Sequence, residues 1–205
     1  MSMHRMAKAL VAGAALAGWT MMAPAFAQTP HHIRGTLESV QDHMLSVKTA
    51  SGGTQSVKLA DDAHVFMVSP ADFSSIKDGR FVGITSVEEG GKRVAKEVHV
   101  FAEKLRGLGE GHYPWDLESG PNMMTNANIA TVKSVGNGRE LKLDYKGGTQ
   151  TITVPEGAEI VAFDPSTPDQ LKAGEKVFVI AKKQADGSEV AGGVVIGKDG
   201  LKPPM

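Results

Sequence analysis

The sequence contains no cysteine, few aromatic residues and no excess of positive charge. The absence of Cys from its 205 residues excludes disulfides, thiol nucleophiles and thiolate metal sites. Aromatic residues make up 5% of the chain, and 22 Lys and Arg are balanced by 23 Asp and Glu. Because nucleic-acid binding by counterion release needs a basic surface, we expect no nucleic-acid partner. The hydrophobic fraction of 41% is typical of a folded globular protein.

The longest apolar run lies near the N-terminus and is too short to span a bilayer. Arg5 and Lys8 precede an apolar stretch at 9–22, and Ala25-Phe26-Ala27 has the pattern of a cleavage site. This order is typical of a secretory signal peptide cut after Ala27, whereas a transmembrane helix needs about 20 apolar residues. We therefore expect a periplasmic protein with no membrane span.

The two halves of the chain share a sequence pattern. Residues 35–40 (GTLESV) align with 130–135 (ATVKSV) at an offset of 95, and the same offset aligns GGTQ at 52–55 with GGTQ at 147–150. A repeat of this length predicts two homologous domains. The predicted divisions are a signal peptide at 1–27, a first repeat at 28–101, a connector at 102–127, a second repeat at 128–197 and an extended tail at 198–205.

Within each repeat, apolar and polar residues alternate in short runs, which is typical of β-strands. Residues 44–49 and 54–59 alternate on either side of Gly52-Gly53, the composition of a hairpin turn. A helical turn is expected before two further strands at 81–87 and 94–101. Five or six strands in about 70 residues fit a small closed barrel. The predicted fold is all-β, with two homologous five- to six-stranded barrels joined by an irregular connector rich in Gly, Pro and aromatic residues.

These motifs resemble those of a known group of modules. The pattern Gly-Thr-Leu-x-Ser-Val, a hairpin, and Leu-Lys-Ala-Gly-Glu-Lys-Val at 171–177 are similar to small β-barrel modules of secreted bacterial proteins of unknown function. The resemblance covers both repeats and implies a fold like that of oligonucleotide/oligosaccharide-binding (OB) domains, without implying an activity. The motif Gly-His-Tyr-Pro-Trp-Asp at 111–116 is similar to chains loosely described as metal-transporter permeases. Since no membrane span is predicted, that similarity implies at most an association with metals.

The connector contains the residues that we consider first for ligand binding. It is longer than an ordinary linker and holds Trp115, the single Trp after the predicted leader. Rigid barrels on either side would position such a segment, and segments held in this way are often functional. Its aromatic residues could also pack as a plug between the barrels. The candidate ligand-binding residues are His112, Tyr113, Trp115, Asp116 and Asn126.

A metal site is the alternative. All six histidines after the predicted leader lie in the first repeat and the connector, and four of the five methionines share that half. Without Cys, imidazole and thioether are the available soft ligands, and thioether favours Cu(I). Small periplasmic copper chaperones with an OB-like barrel bind Cu(I) through His and Met beside a Trp, and the residue chemistry here is similar. The candidate ligands for copper or another transition-metal ion are His64, His99, His112, Met123 and Met124.

No sequence motif of a known enzyme class supports catalysis. The chain contains neither Gly-x-Ser-x-Gly nor His-Glu-x-x-His. We therefore expect a non-enzymatic exported protein that binds an envelope protein or a small ligand and needs no cofactor. Two alternatives stay open, namely a copper-type metal-binding protein and an envelope interaction module that uses barrel faces or strand edges.

Overall fold

The computed structural model describes residues 30–117 and 120–205. The predicted signal peptide and its cleavage site lie outside the described residues. Within these residues the predicted all-β fold is confirmed, with twelve strands and four single turns of 3-10 helix. The strands are β1 (His31–Gln41), β2 (Met44–Thr49), β3 (Thr54–Pro70), β4 (Phe81–Glu89), β5 (Lys92–Phe101), β6 (Gly111–Trp115), β7 (Asn122–Val135), β8 (Gly138–Tyr145), β9 (Gly148–Val154), β10 (Glu159–Ser166), β11 (Lys176–Lys183) and β12 (Glu189–Gly197).

Five strands close into a barrel, and they come from both ends of the chain. β1 pairs with β2, β2 with β3, β3 with β12 and β12 with β11, and β11 returns to β1. Leu37, Leu45, Val57 and Val179, each 0% exposed, belong to its core. This first barrel thus combines three strands of the predicted first repeat with the last two strands of the second.

A second ring of five strands has the complementary composition. β4 pairs with β5 and β7, β7 with β8, and β8 with β9. The ring closes where Arg93 and Val94 of β5 pair with Ile152 and Thr153 of β9. We call this ring the second barrel. The sequence pattern placed one barrel in each predicted repeat, but each barrel contains two strands from the other predicted repeat. Alternation of apolar residues identifies a strand and its buried face, and it does not identify the barrel that the strand joins.

The junction between the barrels is built by β3 and β10. The first part of β3 pairs with β2, whereas its second half, up to Pro70, pairs with β12 along one edge and antiparallel with β10 along the other, so that Val68 lies opposite Phe163. β10 also pairs in parallel with β5, as β12 pairs in parallel with β3. Side chains that point out of the two barrels meet here, because successive residues of a strand face opposite sides. The junction cluster contains Phe66, Val68, Phe81, Phe101, Val161, Phe163, Phe178, Val195 and Met205.

The glycine just before β4 and the glycine just before β11 form equivalent backbone hydrogen bonds. Gly79 N donates to Ile129 O at 2.8 Å, and Gly174 N donates to Leu37 O at 2.7 Å. Leu37 therefore has the structural position of Ile129, whereas the sequence alignment paired it with Val132. The β7–β8 hairpin continues for two more residue pairs beyond its bulge than the β1–β2 hairpin does. The two extra pairs add four residues to the hairpin, and the next turn is one residue shorter, which together account for the shift of three positions.

Two segments that the sequence analysis described as irregular or extended are ordered and packed. β6, inside the predicted connector, pairs antiparallel with the start of β7, and among the described strands it has no other partner. Pro114 is accommodated because β6 is an edge strand. After a 3-10 turn at Lys198–Gly200, the tail brings Met205 into the junction cluster with 5% exposure. The predictions of an irregular connector and an extended tail are wrong for these residues.

Gly35 marks a close approach of β1 to β2 and gives a test of this packing. A Cβ at Gly35 would lie 2.8 Å from Val47 Cγ1 and would clash with the backbone of Lys48. We expect Gly35→Ala to lower the free energy of unfolding by about 1–3 kcal/mol, since overpacking displaces backbone. Gly192→Ala, in β12 with no atom within 4 Å of its added Cβ, is the control and should change stability by less than about 0.5 kcal/mol. Equal denaturant midpoints for the two variants would contradict the packing described.

The strand exchange predicts how fragments behave. A fragment of residues 28–101 lacks β11 and β12, so the partners of β1 and β3 in the first barrel are missing. We expect this fragment not to fold as a monomer, because unpaired strand edges stay open. Adding the fragment 102–205 should restore dispersed NMR amide signals like those of the intact chain. A folded, monomeric 28–101 fragment would contradict the exchange.

Candidate functional site

A cavity of about 460 Å³ opens beside the junction cluster, between the two barrels. Its wall is mainly apolar, and the aromatic part of the wall comes from β3, β5, β6, β10 and β11. No Asp, Glu, Lys or Arg side chain of the described residues lines it. The aromatic side chains that form the wall are Phe66, Phe101, Tyr113, Trp115, Phe163 and Phe178.

The edge strand β6 divides the predicted ligand-binding residues between its two faces. Tyr113 and Trp115 lie on one face and line the cavity, together with Asn126 of the neighbouring β7. His112 lies on the opposite face, where its Nδ1 is 2.8 Å from Thr125 Oγ1 and its ring stacks on Tyr145. Burial, followed by the charge of Arg93, lowers the pKa of His112. Three of the five predicted residues therefore reach the cavity.

Asp116, the remaining predicted ligand-binding residue, fixes the end of β6 instead. Its carboxylate is 2.6 Å from His32 Nδ1 and accepts a hydrogen bond from Arg34 at 2.9 Å. Burial acts to raise the pKa of Asp116, but hydrogen bonds from Arg34 and His32 outweigh it and hold the pKa below its usual value. The centroids of His32 and Trp115 are 4.4 Å apart. This cluster ties β6 to β1, and it positions the indole over the cavity.

Two polar atoms of cavity-lining side chains are buried without a hydrogen-bond partner among the described residues. They are Trp115 Nε1, a donor, and Asn126 Oδ1, an acceptor. The Asn126 amide nitrogen, in contrast, donates to Leu108 O and to the Tyr113 hydroxyl, each at 3.2 Å. An unpaired buried polar group costs about 1–3 kcal/mol. The two atoms are therefore candidates to bind a ligand.

Three imidazoles, those of His32, His64 and His99, also line the cavity. His99 is 3% exposed, and its Nε2 lies 3.3 Å from Pro204 O. A carbonyl oxygen can only accept, so the contact places the proton on Nε2. Burial lowers the pKa of His99 to about 4, although the Pro204 carbonyl acts in the opposite direction. At neutral pH this imidazole is uncharged.

The predicted metal ligands fall on two faces of the sheet. His64, His99 and Met124 line the cavity, whereas His112 and Met123 alternate with cavity-facing residues along β6 and β7. Among the described residues, no three His, Asp or Glu side chains cluster in a way that could hold a metal ion. The structure therefore brings three of the five predicted ligands to one cavity and separates the other two from it.

The tail forms part of the cavity wall, which the sequence analysis missed. Met205 lines the cavity, and Arg34 Nε donates to Met205 O at 2.6 Å. Pro203 and Met205 are buried, whereas Lys202 is exposed and Pro204 is half-buried. The apolar side chains of Leu201 and Met205 are the signal that could have indicated a packed segment.

Comparison of the chain with protein-family models, with curated proteins and with solved structures found no match. The resemblance to OB-like modules therefore stays a prediction. In the part of the chain that the structure describes, no helix has the length and apolar character needed to cross a membrane.

His99 should make stability depend on pH. The unfolded chain takes up a proton on this imidazole as pH falls through about 6.5, whereas the folded protein does so only near 4. Stability is therefore lost as pH falls from 6.5 to 4, by about 3 kcal/mol at 1.36 kcal/mol per pKa unit. Denaturant unfolding of the intact chain at pH 7 and pH 4 measures this loss.

Glutamine can donate the same hydrogen bond to the Pro204 carbonyl and does not titrate. Between pH 7 and pH 4, the free energy of unfolding of His99→Gln should therefore fall by about 3 kcal/mol less than that of the wild type. Glu97 also faces His99, at 3.7 Å from Nε2. It is present in both proteins. His43→Asn, at an exposed turn, is the control and should behave as the wild type. An unchanged pH dependence in His99→Gln would show that this imidazole is not the group responsible.

Proposed function

We propose that the protein binds a small, largely apolar and uncharged organic molecule in the cavity between its barrels, without catalysis. The observation that carries this proposal is the aromatic wall with its two unpaired polar atoms. A volume of about 460 Å³ lies within the range of small-molecule sites, which runs from about 300 to 1,000 Å³. Such sites combine apolar walls with a few polar groups that orient the ligand.

The charges around the cavity favour a neutral ligand. A charged group taken into an apolar site loses its hydration and needs a partner of opposite charge. The described wall offers no carboxylate, ammonium or guanidinium group. His99 stays neutral above its lowered pKa. A charged molecule would therefore find no compensation there.

The polar atoms indicate which functional group the ligand carries. Trp115 Nε1 can only donate, and Asn126 Oδ1 can only accept. A ligand hydroxyl group can pair with either atom, since it accepts and donates. A flat alcohol or phenol of two or three rings is the ligand class that fits this wall best, because offset ring contacts add to the burial of apolar area.

We also propose that the protein arose by tandem duplication and is exported to the periplasm. The recurring hydrogen bonds of Gly79 and Gly174, and the pairing of Val68 with Phe163 at an offset of 95, support a tandem duplication whose copies exchanged strands. We propose OB-like ancestry for the two barrels on the sequence resemblance. The signal-peptide pattern supports export to the periplasm.

Copper binding is the second candidate, since His64, His99 and Met124 share the cavity wall. Two imidazoles and one thioether form a donor set suited to Cu(I). The fit is limited to donor chemistry. An ion held there would need to bind beside the aromatic side chains rather than in a polar pocket.

A fluorescence titration tests the proposal. With residues 28–205, we expect the neutral probe 2-naphthol to bind one per chain and to quench Trp115, the single Trp of that chain. Gly193 lines the cavity, and a Cβ built there meets Ile180 at 3.5 Å without overlap. Gly193→Leu should therefore fill the cavity and weaken binding at least about tenfold, the loss of about 1.4 kcal/mol.

Gly157→Leu is the matched control, because Gly157 is exposed and has nothing within 4 Å of an added Cβ. It should bind the probe as the wild type does. Unchanged probe binding in Gly193→Leu would contradict the cavity as the site. Absence of probe binding, with stoichiometric Cu(I) binding that is lost in His99→Gln, would instead favour the metal candidate.

A further inference from the structure

A second groove, of about 420 Å³, lies on the outside of the first barrel. Its wall differs from that of the cavity between the barrels. Four cationic side chains and two threonine hydroxyls line it, and no acidic side chain of the described residues does so. These six residues are Arg34, Lys48, Lys176, Lys202, Thr36 and Thr49.

Strand register places two of the lysines on either side of one threonine. Thr36 pairs with Lys176 of β11 and with Lys48 of β2. Because neighbouring strands are about 4.8 Å apart, the two lysine Cα atoms are separated by about 10 Å. Lys176 Nζ donates to Thr36 Oγ1 at 2.8 Å. Two ammonium groups can thus reach one bound molecule from opposite sides.

The three lysines of the groove form no ion pair with an acidic side chain of the described residues. Lys48 and Lys202 have no hydrogen bond or ion pair with any described residue. Arg34 is paired with Asp116 and with Met205 O. Glu38, two residues along β1 from Thr36, accepts hydrogen bonds from Ser46 and Thr54 instead. A concave wall of one charge sign raises the local concentration of counter-ions.

The second barrel shows that the fold does not require this charge. Its equivalent row across three strands is Phe81, Asn128 and Asp144, in the same pairing order as Lys176, Thr36 and Lys48. That row has no cation and one carboxylate. The lysines are therefore a property of one barrel, in a chain whose formal net charge is −1.

We propose that this groove is an anion site that binds a compact polyanion bearing two phosphate groups. Lysine ammonium groups act as point charges and suit phosphate, whereas planar carboxylates are best bound by a free arginine fork. The one arginine in the wall already uses its fork on Asp116. The three unpaired lysines carry more positive charge than one phosphate group, of about −2, neutralises, so a molecule with two phosphates matches the groove better. This proposal does not depend on a ligand in the cavity between the barrels.

Calorimetric titration of residues 28–205 with inorganic pyrophosphate tests the site. We expect one pyrophosphate per chain at low salt, with affinity that falls as salt is added, because each contact is an exposed charge. The double variant Lys48→Gln/Lys176→Gln should bind at least about tenfold more weakly. Orthophosphate and citrate serve as probes of charge spacing and of carboxylate chemistry, and both should bind more weakly than pyrophosphate.

Lys133→Gln/Lys142→Gln is the matched control, since both lysines are on the second barrel and lie outside the groove. It removes the same net charge and should bind pyrophosphate as the wild type does. Equal losses in the two double variants would show only a general charge effect and would overturn the site. Citrate binding tighter than pyrophosphate would overturn the phosphate assignment, and no binding of any probe at low salt would overturn the proposal as a whole.

Discussion

The pairing of β3 with both β12 and β10 is the contact on which the other features of this structure depend. β3 is 17 residues long. Its first part pairs with β2, and its second half pairs with β12, which closes the first barrel, and with β10, which forms the junction. A strand shared in this way fixes the distance between the barrels. Two curved barrel surfaces held at that distance cannot pack flush along their whole length. The large aromatic rings of the junction cluster fill most of the gap, and the cavity is the part that they leave open.

The two concave sites differ because they lie at different ends of the same outer face of the first barrel. Residues that point into the junction, such as Phe178, are shielded by the other barrel and by the tail, and they are apolar. Lys176, two positions earlier on β11, lies beyond that shield and is exposed. Arg34 separates the two environments, since its guanidinium lies 5.0 Å from the Phe178 ring and also lines the basic groove. One strand pair therefore carries an apolar wall at one end and a charged wall at the other.

The sequence predicted the strands and several of the wall residues, but not the assembly of the barrels. Period-two alternation located β2, which has one buried face, and apolar runs located β4 and β5, which are buried on both faces for much of their length. The composition of the connector drew attention to Tyr113, Trp115 and Asn126, which line the cavity. The exchange of strands was not predictable, since local patterns contain no information on which distant edge a strand will join. The role of the tail was missed because a few apolar residues after a glycine turn resemble an ordinary terminus.

The strand exchange also governs how this chain folds. Thr36 and its strand partner Lys176 are separated by 140 positions in the sequence. Without the β1–β11 pairing to which they belong, the first barrel does not close. Folding rates of small proteins fall as the mean sequence separation of contacting residues rises, because the entropy of closing a long loop is lost before the contacts form. Both barrels here rely on partners from the opposite half of the chain. The first barrel therefore closes slowly and last, and in a chain emerging from the ribosome it stays open until the final two strands have been made.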